Sequence, residues 1–214
     1  MAGCCSHARA TGRLFSFFAP RYRRRFEKKG PEPSQKHLLT GLEQAGFADA
    51  SLLEIGCGVG YLHQTLLGRG ASSAVGIDLA PRMLAEARQW ARDRQLQGRT
   101  QYIEGDFTEC ADDIEAADIT LLDKVVCCYP DADSLIHKTL DKTRRVIALT
   151  YPRDRMFTRA GELIMLWITK VFRFDFRGYV HNPAQIEQWI REEGYRKSFQ
   201  DQTTLWLTQV YVRQ

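Results

Sequence analysis

Ser51-Leu52-Leu53-Glu54-Ile55-Gly56-Cys57-Gly58-Val59-Gly60 is the stretch that decides the fold. Its first half is mostly apolar, which is typical of a short buried strand, and its second half has glycine at alternate positions. Leu62, Leu66 and Leu67 follow at helical spacing. The stretch therefore predicts a strand, a glycine turn and a helix, which together open a βαβ unit. Glycines let the backbone bend sharply and approach a ligand closely, and the helix points its amino terminus at that ligand.

The turn differs from the dinucleotide-binding fingerprint, which needs a third small residue where Tyr61 stands. NAD is therefore not the expected ligand. A second predicted strand, 73–78, ends in Asp78, about 20 residues after the glycines. A carboxylate at that strand tip can accept both hydroxyl protons of an adenosine ribose, although it could also cap the helix from Pro81. Taken together with the glycines, the position predicts ribose contact for Asp78.

Length and composition indicate an ordinary globular chain. Its 214 residues suit one domain with a proper core, and 44% of them are hydrophobic and 26% charged. The net charge of +4 is too small to indicate a nucleic-acid partner. No apolar run is long enough for a membrane span, and no apolar segment marks a signal peptide. Six cysteines without C-x-x-C spacing predict neither a disulfide framework nor a zinc site, so we expect a reducing cytoplasm.

Residues 1–30 form a basic and aromatic segment with no acid before Glu27. We interpret it as a cover over the ligand pocket, separate from a main domain at 31–214. Peripheral contact with an anionic membrane surface and an organellar transit peptide are alternative interpretations. Gly30-Pro31-Glu32-Pro33 ends the segment.

The rest of the chain alternates predicted strands and helices, as in an α/β three-layer sandwich. Ser34 is the expected cap of a helix over 35–45. Five strands are expected at 52–55, 73–78, 100–107, 117–124 and 144–152, with helices at 81–95 and from Asn182 or Pro183 to 194. A helical insert at about 156–175 contains an apolar stretch at 161–172, and two β-rich runs, 196–199 and 203–212, close the chain. We therefore predict a Rossmann-like, mostly parallel sheet with a C-terminal antiparallel strand.

Four elements, in order and spacing, resemble class I S-adenosylmethionine-dependent methyltransferases. They are the Glu54–Gly60 turn, Asp78, the Gly105-Asp106-Phe107 turn and Asp123 at the end of the fourth strand. The resemblance covers about residues 35–213 and implies S-adenosyl-L-methionine as the cofactor. The residues implied to bind it are Glu54, Gly56, Cys57, Gly58, Gly60, Asp78, Leu79, Met83, Asp106, Phe107, Asp123 and Lys124.

The resemblance also assigns individual roles. Glu54 and the glycine backbone would hold the amino-acid part of the cofactor, and Asp123 would line its methionine end. Asp106 would accept from the exocyclic amine of adenine, and Phe107 would pack on the ring. A turn-stabilising role is the alternative for Asp106.

The later part of the chain is similar to magnesium-protoporphyrin O-methyltransferases. The similarity lies in Tyr129-Pro130, Tyr151-Pro152, the insert, and Tyr179-Val180-His181. The Arg21–Phe26 segment resembles that family's N-terminal cover. Cys128 stands where that family has a histidine, and a thiol cannot replace an imidazole base there. The sequence therefore predicts a relative whose small-molecule substrate is unknown.

Methyl transfer from a sulfonium is an in-line displacement in which the protein supplies position and electrostatics. The candidate catalytic residues are Tyr129, His181 and Tyr22, with a helix cap as the alternative for His181. None of His7, His37, His63 and His137 belongs to a motif. Cys4-Cys5 and Cys127-Cys128 could meet beneath the cover as a soft-metal or metalloid site, or they could simply pack as small buried side chains.

The function we expect is methyl transfer to a small molecule. Two alternatives from other classes are a cofactor-binding module without catalysis and a membrane-surface protein that uses 13–29 and 161–172. RNA methylation is less favoured, because no added RNA-binding domain is visible and the basic segment is short.

Overall fold

The computed structural model describes residues 2–156, 158 and 177–214, without the side chains of 2–11, 13 and 14. Its strands are β1 (Ser51–Ile55), β2 (Ser73–Asp78), β3 (Thr100–Glu104), β4 (Ala117–Asp123), β5 (Thr143–Pro152), β6 (Tyr195–Gln202) and β7 (Trp206–Arg213). Its helices are α1 (Ala2–Lys29), α2 (Pro33–Ala45), α3 (Tyr61–Leu67), α4 (Pro81–Asp93), α5 (Phe107–Cys110), α6 (Ala132–Asp141) and α7 (Pro183–Glu192). The predicted insert at 156–175, including the apolar stretch 161–172, lies almost entirely outside the described residues.

The seven strands form one sheet in the order β3-β2-β1-β4-β5-β7-β6. Strands β1 to β5 pair in parallel, and β7 is antiparallel to both of its neighbours, β5 and β6. This arrangement confirms the predicted Rossmann-like α/β sandwich with a C-terminal antiparallel strand.

Alternation along β1 shows how the sheet separates two cores. Leu52 points to the face covered by α2 and α3, and Leu53 and Ile55 point to the face covered by α6 and α7. Successive side chains of a strand point to opposite faces, so Glu54 shares the face of Leu52. Glu54 is nevertheless only 3% exposed, so it places a buried carboxyl group beside the glycine turn.

Two helix starts differ in how well the sequence predicts them. Ser34 is not the cap of α2, and that prediction was wrong: Pro33 occupies the first turn, where its missing N–H is no loss, and Glu32 is the cap. The Gln35 side chain accepts from the Glu32 N–H at 3.0 Å. Asn182 does cap α7, because its side chain accepts from the Ala184 N–H at 3.0 Å.

The α1 helix lies across the carboxyl side of the sheet and packs on α4. Ala19 and Phe26 are buried against Val59, Met83 and Trp90. In the part of the chain that the structure describes, no helix is both long and apolar enough to cross a membrane.

Candidate active site

A cavity of about 460 Å³ lies where the carboxyl ends of β1, β2 and β4 meet beneath α1. This is the position at which open α/β sheets bind ligands. Most predicted site residues line it: Tyr22, Glu54, Gly56, Cys57, Gly58, Asp78, Leu79, Met83, Phe107, Asp123, Lys124 and Tyr129. Gly60, Asp106 and His181 are not among the residues that line the cavity.

The glycine turn needs its glycines for different reasons. Gly56, Gly58 and Gly60 have φ angles of +65°, +53° and +78°, in the left-handed region that glycine enters without strain. A Cβ on Gly56 would lie 2.3 Å from Val125 Cγ2, whereas a Cβ on Gly58 would meet nothing within 4 Å. Gly56 therefore serves packing within the protein, and Gly58 leaves open space in which a ligand can reach the backbone.

Asp78 stabilises the glycine turn, and its carboxylate oxygens can still accept further hydrogen bonds from a ligand. Its Oδ2 accepts from the Gly58 N–H at 2.7 Å, and its Oδ1 accepts from the Ala80 N–H at 2.8 Å. Burial raises the pKa of Asp78 to about 6, and these two N–H donors oppose the rise. Ala80, not Asp78, is the cap of α4. Each carboxylate oxygen has a second lone pair, so Asp78 can still accept two hydroxyl donors.

Asp123 brings an unsatisfied acceptor to the opposite side of the cavity. Its Oδ2 accepts from Gln35 Nε2 at 2.8 Å, whereas its Oδ1 is buried with no hydrogen-bond partner among the described residues. Burial raises the pKa of Asp123, and Lys124 acts in the other direction. A buried acceptor without a donor is costly, so this oxygen suits a ligand that carries an N–H or O–H group.

His63 is a candidate site residue that the sequence did not single out. Its backbone N–H donates to Glu54 Oε2 at 3.1 Å, and its ring Nδ1 lies 2.5 Å from the same oxygen. The Nε2 atom lies 3.0 Å from the hydroxyl of Tyr102, and the side chain is fully buried. Glu54 is thus held by the first turn of α3. The position of His63 in the sequence could have indicated this contact. His63 is the third residue of a helix that starts directly after a tight turn, which brings it back towards the strand that carries Glu54.

Tyr129, Asp106 and His181 form a connected group at one edge of the cavity. Tyr129 donates its hydroxyl proton to Asp106 Oδ1 at 2.8 Å, and the same oxygen accepts from the Thr108 N–H at 2.9 Å. Asp106 therefore caps α5, as the turn-stabilising alternative described. The His181 Nε2 lies 2.9 Å from the Tyr129 carbonyl oxygen. Burial, followed by Asp106, raises the pKa of Tyr129 well above its usual value.

The α1 helix supplies the cavity with an aromatic wall. Phe15, Tyr22 and Phe26 line it, and Phe26 stacks on Tyr61 with ring centroids 4.4 Å apart. A Cβ on Gly12 would lie 2.4 Å from the Leu79 carbonyl oxygen, so α1 lies directly on the chain that follows β2. Burial and then Glu32 raise the pKa of Tyr22.

Cys127 and Cys128 line the cavity after β4. The Cys127 and Cys128 thiols point to the Lys124 carbonyl oxygen, with sulfur–oxygen distances of 3.4 and 3.8 Å. The side chains of Cys4 and Cys5 lie outside the described residues, so a meeting of the two pairs stays a prediction.

These features fit an adenosyl cofactor that also carries an ammonium group. Space over Gly58 admits the ligand, Asp78 retains capacity for ribose hydroxyls, and Asp123 Oδ1 requires a donor. Phe107, only 1% exposed, supplies an apolar surface on which an adenine ring can pack.

Comparison with known proteins gives the same picture. The family described as a methyltransferase domain matches residues 52–148. The ubiquinone biosynthesis O-methyltransferase of Pseudomonas aeruginosa PAO1 is 29% identical over an alignment of 164 residues that covers 71% of this chain and 67% of the relative. The ribosomal protein L11 methyltransferase of Haemophilus influenzae PittEE is 35% identical over 72 residues, 34% of this chain and 24% of the relative.

A solved structure extends the similarity of fold to nearly the whole chain. The magnesium protoporphyrin IX methyltransferase of Synechocystis PCC 6803 with bound SAH superposes with a TM-score of 0.68. The match covers 94% of this chain and 98% of that chain at 20% sequence identity. At that coverage, the matched fold extends beyond the methyltransferase-domain match on both sides.

Proposed function

We propose that this chain, which is a class I S-adenosylmethionine-dependent methyltransferase, transfers the methyl group to a small and largely apolar molecule beneath α1. The aromatic wall of α1 is the observation that carries the proposal. Phe15, Tyr22 and Phe26 line the cavity on the side of α1 and cover it. A covered pocket of this kind suits a small ring system better than a protein loop or an RNA strand. The names of two relatives, which refer to ubiquinone biosynthesis and magnesium protoporphyrin IX, support this substrate class.

The cofactor half of the site divides its work among few residues. S-adenosylmethionine, when bound, supplies an electrophilic methyl group on a sulfonium. Asp78 accepts the ribose hydroxyls, Gly58 lets the backbone approach, and Asp123 Oδ1 accepts from the ammonium group. Glu54 acts through the turn, because its carboxylate is tied to His63.

We assign no general base to the three candidate catalytic residues. The raised pKa of Tyr129 and its bond to Asp106 keep its phenol protonated, so it can donate but not abstract a proton. His181 is engaged with the Tyr129 carbonyl and holds that residue in place. Tyr22, whose pKa is also raised, contacts the acceptor as a hydrogen-bond donor. The acceptor then arrives ionised or loses its proton to water, and the site contributes orientation and exclusion of water.

The cytoplasm is the compartment we propose. None of the four described cysteines, Cys57, Cys110, Cys127 and Cys128, is in a disulfide, which fits a reducing environment. The proposed cytoplasmic location does not depend on whether the protein contacts a membrane surface, nor on its oligomeric state.

The test is a transfer assay with methyl-labelled cofactor and three acceptor pools: small metabolites, protein and RNA from the source organism. We expect label in the small-molecule pool, and a defined panel of phenols and carboxylic acids then identifies the acceptor atom. Label found only in protein or RNA would refute the proposed substrate class.

A matched pair of variants ties that activity to the cavity. Gly58→Ala places a methyl group in the ligand space at φ +53°, and Gly194→Ala places one at φ +81°, with no atom within 4 Å in either case. Both changes impose similar left-handed strain, but only Gly58 lines the cavity. We expect Gly58→Ala to lose transfer and Gly194→Ala to retain it.

A further inference from the structure

The end of β4 presents two adjacent thiols to the acceptor side of the cavity. Lys124 adopts a left-handed conformation with φ of +61°, which is unusual for a residue other than glycine. The chain then forms a short 3₁₀ turn, Val126–Cys128, and both cysteines line the cavity. Local backbone strain of this kind persists where the surroundings over-determine it, as at ligand sites.

The two sulfur atoms converge on one point. Both are within contact of the Lys124 carbonyl oxygen, at 3.4 Å for Cys127 and 3.8 Å for Cys128. The two thiols also interact with each other, which raises the pKa of Cys127 and lowers the pKa of Cys128. Packing holds the turn in place, because Val125 lies against Gly56, where a Cβ would be 2.3 Å away.

A direct disulfide between these neighbours is sterically poor. Consecutive Cα atoms across a trans peptide are about 3.8 Å apart, whereas disulfides usually join Cα atoms roughly 4.4–6.8 Å apart. The described peptide bonds are all trans. A ligand atom placed between the two sulfurs lengthens the bridge and removes that conflict.

We propose that Cys127 and Cys128 form a dithiol site that binds a trivalent metalloid, namely trivalent arsenic. Thiolates select soft elements. A divalent metal with a larger ligand set is a poorer fit, because no group of three or more His, Cys, Asp or Glu side chains suited to a metal occurs within the described residues. Trivalent arsenic needs two sulfurs only, and its third substituent can project into the cavity.

Binding is a condensation in which arsenic stays trivalent. Two S–As bonds form, two As–OH bonds break, and the two thiol protons leave with the hydroxides as two water molecules. No oxidant or reductant is consumed. The bound group occupies the acceptor side, next to Tyr22, and leaves the glycine turn open for the cofactor. The site stands independently of which small molecule accepts the methyl group.

The experiment uses full-length protein in which Cys4 and Cys5 are replaced by serine, so that one adjacent pair remains. Phenylarsine oxide is the probe, and intact-protein mass spectrometry measures one phenylarsenic adduct per chain. We expect the adduct to survive excess glutathione and to be removed by a dithiol, since two S–As bonds must be replaced together. S-adenosylhomocysteine should bind the adduct with unchanged affinity.

Three variants decide the assignment. Cys127→Ser and Cys128→Ser should each weaken retention of the probe at least tenfold, whereas Cys110→Ser, a partly buried thiol outside the cavity, should leave it unchanged. Retained affinity for S-adenosylhomocysteine shows that each variant is folded. Retention of the adduct by both cavity variants, or equal displacement by glutathione in every protein, overturns the proposal. Neither readout requires turnover, so failure here is distinct from failure of the proposed methyl transfer.

Discussion

Replacement of Asp78 by asparagine tests the cofactor half of the site most directly. The carboxylate accepts the Gly58 N–H at 2.7 Å and the Ala80 N–H at 2.8 Å, and it has one spare lone pair on each oxygen. Asparagine keeps the shape but retains a single acceptor oxygen and no charge. A hydrogen bond to a charged group contributes about 1.5–3 kcal/mol. We therefore expect Asp78→Asn to weaken S-adenosylmethionine binding by about 10-fold to 150-fold, at about 1.4 kcal/mol per tenfold.

The pH dependence of stability and of cofactor affinity provides a second, independent test of the role of Asp78. Burial raises the pKa of Asp78 from 3.8 to about 6, so its contribution to stability is full below pH 3.8 and is lost as pH rises through 6. This rise in pKa corresponds to roughly 3 kcal/mol of unfolding free energy, and that value is an upper limit because solvent in the cavity screens the partly open side chain. Stability of the unliganded protein should rise as pH falls from 7 to 5, while cofactor affinity falls because the ribose needs the carboxylate. Asp78→Asn should remove both trends.

Titration calorimetry measures the affinity, and urea unfolding at pH 5 and pH 7 measures the stability. Asp118→Asn is the matched control: its carboxylate also accepts a backbone N–H, from Ser51 at 2.8 Å, but it lies at the amino-terminal end of β4, away from the cavity at the carboxyl ends of the strands. We expect that control to lose stability and to keep cofactor affinity. If Asp78→Asn binds the cofactor as tightly as the unmodified protein, the ribose lies elsewhere and the assignment is refuted.

Three further outcomes test α1 and the buried pair behind the turn. Gly12→Ala should displace α1 from Leu79, where its Cβ would lie 2.4 Å from the carbonyl oxygen, and should speed amide hydrogen exchange in α1 without unfolding the sheet. Deletion of residues 1–29 should abolish transfer while cofactor affinity falls less; turnover at the full-length rate would make α1 dispensable. His63→Gln should weaken cofactor binding at least fivefold in calorimetry, because Glu54 loses its ring partner at 2.5 Å, and an unchanged affinity would limit His63 to packing.

The cofactor half of the site could be predicted because its residues follow one another along the chain. Gly56 and Gly58 sit in a turn between adjacent elements, and Asp78 ends the next strand, so their proximity follows from the βαβ unit. The fold class could be predicted for the same reason, from the alternation of strands and helices. Ser34 shows the limit of such local reasoning, because Pro33 satisfied the first turn and moved the cap to Glu32.

The acceptor half could not be predicted in the same way, because distant segments build it. Tyr22 comes from α1, Cys128 from the turn after β4, and Trp206 from β7. The left-handed conformation of Lys124 directs the two thiols, and nothing in the local sequence indicates a positive φ at a lysine. His63 was missed because its partner, Glu54, lies in another element, although the spacing of the turn brings them together.

One residue links the two halves of the site. Tyr61, whose size excludes the dinucleotide fingerprint, is the surface on which Phe26 of α1 stacks at 4.4 Å with its ring inclined by 13°. Burial of such a phenylalanine contributes about 1.5–3 kcal/mol. The ion pairs of Arg23 with Glu86 and Asp93 are solvent-accessible, so water and salt screen them and they contribute little to the docking of α1. Docking of α1 is therefore mainly apolar, and it rests on the first residue of the helix that the glycine turn opens. We therefore expect a ligand that orders the turn to order the platform for α1 as well, and so to couple cofactor binding to closure over the acceptor.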